Sequence, residues 1–267
     1  MKKIISILIT LSVMTFLFAG CGTQNKSSST SSSETTLEKV KKAKKIVVAV
    51  DDTYPPMEFR DENNKLVGMD IDMGNALAKK MGIKIQFVST SWDGIFMGLK
   101  SKKYDAVISS VSMTDERKKS MTFFGPYIHG GQVISVKTGN TTIKSSDDLK
   151  DKIVGVQIST TGEDVAKKIP GIKQIKTYDK ITDAYNDLII GRTDAVIVDN
   201  VVANYYKQKK SGFDVLSEDL TDEPFGIAFR KEDTDLKAEF EKAYKEIKAD
   251  GTMTKISEKW FGSDISQ

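Results

Sequence analysis

The chain has 267 residues with 40 Lys/Arg, 37 Asp/Glu, one His and one Cys. A formal charge of +3 that includes the two N-terminal lysines leaves the rest of the chain close to neutral, which argues against nucleic acid as the main partner. With a single cysteine and a single histidine, neither a disulfide framework nor a zinc or Cys/His nucleophile site is expected, so no metal or cofactor and no catalytic group is assigned.

Lys2 and Lys3 precede an apolar stretch over 4–18, followed by Ala19, Gly20 and Cys21. A positive start, a short apolar core and small residues before a break mark an export signal. The stretch is shorter than the roughly 20 apolar residues a spanning helix needs. Cys21 stands where cleavage would fall, and the segment resembles a bacterial lipoprotein signal, although Phe18 stands where such signals usually carry Leu. The resemblance implies a signal peptide at 1–20, diacylation of Cys21 and a lipid anchor on the extracytoplasmic face of the cell membrane. The plainer alternative is a secretory signal with an incidental cysteine. The Ser/Thr-rich run up to residue 36 cannot bury a core and reads as a flexible tether. A long tether on a lipidated chain fits a Gram-positive surface better than a periplasm.

Structure is expected from about Leu37. The apolar run 46–50 reads as a strand buried on both faces, and residues 51–56 as the turn that ends it. Met69, Met73, Leu77 and Met81 recur at helical spacing until Gly82 stops them. Strands are expected over 83–88 and 104–108, with a helix over 95–99 between them. This alternation predicts βαβ units and a largely parallel sheet.

The pattern then echoes itself. Leu99 precedes Asp105-Ala106-Val107-Ile108, and Leu188 precedes Asp194-Ala195-Val196-Ile197 at the same offset. Two similar α/β halves would produce this. Ligands in open α/β sheets gather beyond the carboxyl ends of the strands. Those ends carry Ser109, Ser110 and Ser112 in one half and Asp199 in the other, which points to a site shared by two lobes. Thr114 is placed to cap a helix whose first turn holds Asp115 and Glu116. Arg117 on that helix has the planar donor set that pairs both oxygens of a carboxylate.

Residues 110–117, reading Ser-Val-Ser-Met-Thr-Asp-Glu-Arg, resemble the signature segment of polar amino-acid-binding proteins of ABC importers. Further matches run in order along 37–267. They are Ala49 to Phe59, Gly68-Met69-Asp70-Ile71-Asp72, Ser91 to Ile95, Val154 to Gln157 with Thr160-Thr161-Gly162, Asp194 to Asn200, and Lys259-Trp260-Phe261-Gly262. The resemblance implies a two-lobed periplasmic-binding-protein-like type II α/β fold, each lobe a mainly parallel sheet flanked by helices. It places lobe 1 at 37–128 and 224–267 and lobe 2 at 129–223, with crossings near 127–131 and 222–225.

By the same resemblance, Arg117, Thr160 and Thr161 receive an α-carboxylate. Asp199 and the Ser110 carbonyl receive an α-ammonium, while Ser112 and Ser109 line that edge. Tyr54 and Trp92 wall the side-chain pocket, and Asp51 and Gln157 lie at its distal end. Glu58 is read as loop support, and His129 as a surface residue of the hinge. The expected function is capture of a free basic amino acid, arginine before lysine or histidine, by a monomer that delivers it to ABC permease transmembrane subunits. Glutamine is the alternative within that class. A signalling sensor or a cyclic-acid dehydratase on the same fold is a more distant one.

Overall fold

A computed structural model describes residues 34–267. The expected signal peptide, Cys21 and the tether up to residue 33 lie outside the described residues. The chain begins with α1 (Thr36–Ala43), β1 (Lys45–Val50), β2 (Thr53–Tyr54), β3 (Glu58–Arg60) and β4 (Leu66–Val67). Next come α2 (Met69–Lys80), β5 (Lys84–Ser89), α3 (Trp92–Lys100), β6 (Ala106–Ser112), α4 (Asp115–Ser120) and β7 (Met121–Gly130). β8 (Gln132–Lys137), β9 (Ile153–Gln157), α5 (Thr161–Lys168), β10 (Gln174–Tyr178), α6 (Ile181–Ile189) and β11 (Ala195–Asp199) follow. The chain closes with α7 (Asn200–Lys209), β12 (Phe213–Asp219), β13 (Glu223–Arg230), α8 (Thr234–Ala249) and α9 (Thr252–Phe261).

Helix α1 starts one residue before the expected onset of structure. Thr35 caps it by accepting from the Glu38 amide while the Glu38 carboxylate takes the Thr35 amide, a capping box that draws the end of the tether into the folded body. The turn expected after β1 contains β2, which joins β3 and β4 in a small three-stranded sheet.

Two five-stranded sheets organise the rest, ordered β5-β1-β6-β13-β7 and β10-β9-β11-β8-β12. In the first, β5, β1 and β6 are parallel, β13 is reversed, and β7 runs with the first three. The second repeats this, with β10, β9 and β11 parallel and β8 reversed. We call each sheet with its helices a lobe. The first sheet takes strands from 45–130 and 223–230, the second from 132–219.

The sequence echo falls on equivalent strands, β6 and β11, both buried throughout. The aspartate before each does the same work. Asp105 Oδ2 accepts from the Val47 amide at 3.0 Å, and Asp194 Oδ2 from the Ile153 amide at 2.7 Å. Each carboxylate thereby ties its central strand to the strand beside it.

Met69, Met73 and Leu77 are fully buried and hold α2 on the first sheet. Met97, by contrast, stands 69% exposed on α3. Gly68 is placed by a hard constraint. Its φ of +141° belongs to a region open essentially to glycine, and a Cβ there would lie 2.0 Å from the Met57 carbonyl oxygen. This close approach brings the start of α2 against the loop that carries Glu58. Gly68→Ala is expected to destabilise the protein by about 2–4 kcal/mol, read as a lowered midpoint in urea unfolding.

Candidate functional site

The carboxyl ends of β1, β6, β9 and β11 face one another across the two lobes and line a cavity between them. Its walls are Asp51, Tyr54, Trp92, Ser109, Ser110, Ser112, Arg117, Gln157, Thr160, Thr161 and Asp199, all expected from the sequence, together with Glu58. The residues expected from the sequence thus line one cavity, with Gln157, Thr160, Thr161 and Asp199 on one side of the cleft and the others across from them.

The lobes are closed on each other through side chains. Gln157 Nε2 donates to Asp51 Oδ2 at 2.6 Å, and Trp92 Nε1 donates to the Ser159 carbonyl at 2.9 Å. Ser159 Oγ donates to Asp93 Oδ1 at 2.6 Å, and the Tyr54 hydroxyl donates to Asp199 Oδ2. Ser112 Oγ and Thr161 Oγ1 approach to 3.5 Å.

Arg117 is aimed by local structure. Thr114 caps α4 by accepting from the Arg117 amide at 3.2 Å. The guanidinium donates to the Ser112 carbonyl at 3.1 Å, and its carbon lies 5.3 Å from the Trp92 ring centre and 5.1 Å from that of Phe96. Such stacking holds an arginine without consuming its donor fork. Burial draws its pKa below the usual arginine value, opposed by the charges of Glu223 and Asp199. Trp92 therefore serves Arg117 as well as the cavity.

On the opposite wall Thr160 caps α5, accepting from the Glu163 amide at 3.3 Å, so that the first amides of that helix point at the cavity edge. Asp199 ends β11 and is buried. Burial first, then Glu223, raises its pKa to about 8 against the hydrogen bonds from Tyr54 and Gln132 and the charge of Arg117. Ser110 adopts a left-handed φ of +46°, which turns its backbone toward the cavity.

Two residues beside the site were missed by sequence reading. Glu223, at the start of β13 opposite Gly130, accepts from Thr161 Oγ1 and Thr221 Oγ1, both at 2.8 Å. Gln132, at the start of β8, donates to Asp199 Oδ1 at 2.7 Å and to Thr161 Oγ1 at 3.2 Å. Both stand at the crossings between the sheets, where no periodic pattern marks a functional residue. His129 lies at the same crossing, exposed, with Nδ1 3.0 Å from Asp222 Oδ1. Among the described residues no cluster of three or more His, Cys, Asp or Glu forms a metal-holding group.

The family model for bacterial extracellular solute-binding proteins, family 3, matches residues 46–263. The chain belongs to that family. L-cystine-binding protein TcyJ of Escherichia coli strain K12 is 38% identical over 234 residues, covering 86% of this chain and 88% of that protein. ABC transporter arginine-binding protein 1 of the same strain is 37% identical over 225 residues, covering 82% of this chain and 91% of that one. Among solved structures, an ancestral arginine-binding protein bound to glutamine is 46% identical with a TM-score of 0.79, covering 82% of this chain and 98% of that one. The two sheets with their helices are therefore the lobes of the type II fold of these extracellular solute-binding proteins. Among the described residues no helix is long and apolar enough to cross a membrane.

The raised pKa of Asp199 makes a signed prediction. The unfolded chain loses this proton near the ordinary aspartate value of 3.8, the folded chain only near 8. Asp199 thus contributes stability that is fully present below about pH 4 and falls away as pH rises toward 8. Asp199→Asn is expected to flatten that decline, measured by urea unfolding in steps between pH 4 and 8.

Proposed function

We propose that this protein is the extracytoplasmic solute-binding component of an ABC amino-acid importer, and that it captures a basic amino acid, arginine before lysine or histidine. The observation that carries the basic assignment is a charge imbalance. Asp51, Glu58, Asp70, Asp199 and Glu223 are all buried at or directly behind the cavity, against the single cation Arg117. Even with some of these carboxyls protonated, the site holds more negative charge than a zwitterion can balance. Buried charge of one sign is costly unless paired, and a ligand with a second positive group supplies the pair.

In this reading Arg117, the amides at the start of α5 and the hydroxyls of Thr160 and Thr161 take the α-carboxylate, and the Ser112 hydroxyl lies at the ammonium edge. Asp199 and the Ser110 carbonyl take the α-ammonium. Tyr54 and Trp92 flank the side chain, Asp51 and Gln157 receive its distal end, and Ser109 holds the floor. The lobes, parted near 128/129 and 223/224, swing about the two crossings and close on the ligand, and no bond is made or broken. A lipid on Cys21 would keep the monomer near its permease.

Glutamine is the second reading. The Asp51 carboxylate already accepts from an amide, that of Gln157, at 2.6 Å. The related ancestral protein solved with glutamine points the same way.

Calorimetric titration of the chain from Leu37, after unfolding and refolding to strip bound ligand, tests both. The panel is arginine, lysine, histidine, glutamine, glutamate and cystine. Stoichiometric binding of a basic amino acid is expected, weakened by about a hundredfold or more in Arg117→Ala and in Asp199→Ala, since losing one partner of a buried charged contact costs roughly 2–5 kcal/mol. Binding of glutamine or cystine alone would overturn the basic assignment while keeping the importer. No binding by any of them would overturn the amino-acid reading.

A further inference from the structure

We infer that Glu58 and Asp70 share a single proton and act together as the positioning pair beneath the cavity floor. Both carboxyls are fully buried and face each other, Glu58 from β3 and Asp70 from the first turn of α2. Their outer oxygens are committed. Glu58 Oε1 accepts from Ser109 Oγ at 2.6 Å, while Asp70 Oδ2 accepts from the Ser110 amide at 2.9 Å and the Tyr127 hydroxyl at 3.1 Å. Their other oxygens, Glu58 Oε2 and Asp70 Oδ1, are buried without a hydrogen-bond partner, and the Ser110 hydroxyl beside Asp70 is unpartnered too. Two acceptors face to face, sealed from water, are tolerable only when one of them carries a hydrogen.

The surroundings reinforce this. The titratable groups facing the pair are Asp51 at the end of β1, Tyr54 on β2 and Tyr127 on β7, none of them cationic. Arg117 on the far wall is engaged with Ser112, Trp92 and Phe96. Burial is the main cause that raises both carboxyls, and the Asp70 charge adds to it at Glu58. Hydrogen bonds from Ser110, Tyr127 and Glu58 oppose the rise at Asp70, whereas Glu58 goes well above the usual glutamate range. Asp70 Oδ2 takes two donors and Glu58 Oε1 only one, so the ionised form is better held at Asp70 and the proton belongs chiefly to Glu58, which donates to Asp70.

What the pair positions is the floor itself. Asp70 grips the amide of Ser110, the residue whose left-handed backbone faces the cavity. Glu58 holds the Ser109 hydroxyl, which in turn accepts from the Asp51 amide at 3.0 Å. One proton thus fixes the orientation of Asp51, Ser109 and Ser110. Its loss would place two charges in contact and release the floor.

The test needs no ligand, so its failure is separable from failure of the functional reading. The protein is labelled with carbon-13 at the glutamate side-chain carboxyls and with nitrogen-15, and its spectra are followed from pH 5 to pH 10. One glutamate carboxyl is expected to stay protonated at pH 7, and the Ser110 amide is expected to shift as that group titrates. In Glu58→Gln both signals of the titration disappear. In Asp70→Asn, whose amide donates to Glu58, that carboxyl becomes ionised at pH 7. A wild-type spectrum with every glutamate ionised at pH 7, or a protonated carboxyl that survives Glu58→Gln, overturns the proposal. So does a Ser110 amide that ignores the titration.

Discussion

One arginine set among buried carboxyls governs the design of this site. Among the described residues Arg117 is the sole cation on the cavity wall, with Asp51, Glu58 and Asp199 beside it and Asp70 and Glu223 directly behind. Desolvation punishes each of these charges, and the protein answers it in three ways. Two aromatic rings clasp the guanidinium. Hydroxyl, amide and backbone donors reach all five carboxyls. Protons held well above their usual pKa range quiet part of the negative charge. What remains is the excess of negative charge on which the proposed preference for a cationic ligand rests.

The two lobes make that preference conditional on closure. Asp51, Trp92 and Arg117 belong to the first sheet with its helices and loops and Tyr54 to the small sheet, whereas Gln157, Thr161 and Asp199 belong to the second five-stranded sheet and its helices. Neither set alone surrounds the cavity. The repeated strand order explains how two such half-sites arise, since in each lobe a buried central strand ends at the cleft in polar residues. Glu223 and Gln132 tie the half-sites to the crossings. Thr161 is held by Glu223, and Asp199 and Thr161 by Gln132, so the groups proposed to grip the ligand are bonded to the segments about which the lobes would turn.

Much of the fold was legible because its long elements obey simple periods. β1, α2, β5 and α3 fell within a few residues of expectation, and the Asp105 and Asp194 echo marked equivalent strands in advance. The small sheet of β2, β3 and β4 was not legible, since its strands of two or three residues are too short to show an alternation. Family-level motifs supplied the cavity wall almost completely. They did not supply Glu223 or Gln132, whose meaning comes from strands that meet only in the folded chain. Nor did they reveal the partnership of Glu58 with Asp70. That depends on Gly68 letting α2 approach the Met57 backbone more closely than any side chain would permit.

The central claim is that the site selects positive charge at the far end of its ligand. Arginine and citrulline test it most directly, because they differ little in shape while only arginine carries the charge. Side-by-side calorimetric titration should find arginine bound tighter by about a hundredfold or more, the roughly 3 kcal/mol expected when a buried charge is left without its partner. Equal affinities, or a preference for citrulline, would contradict the account.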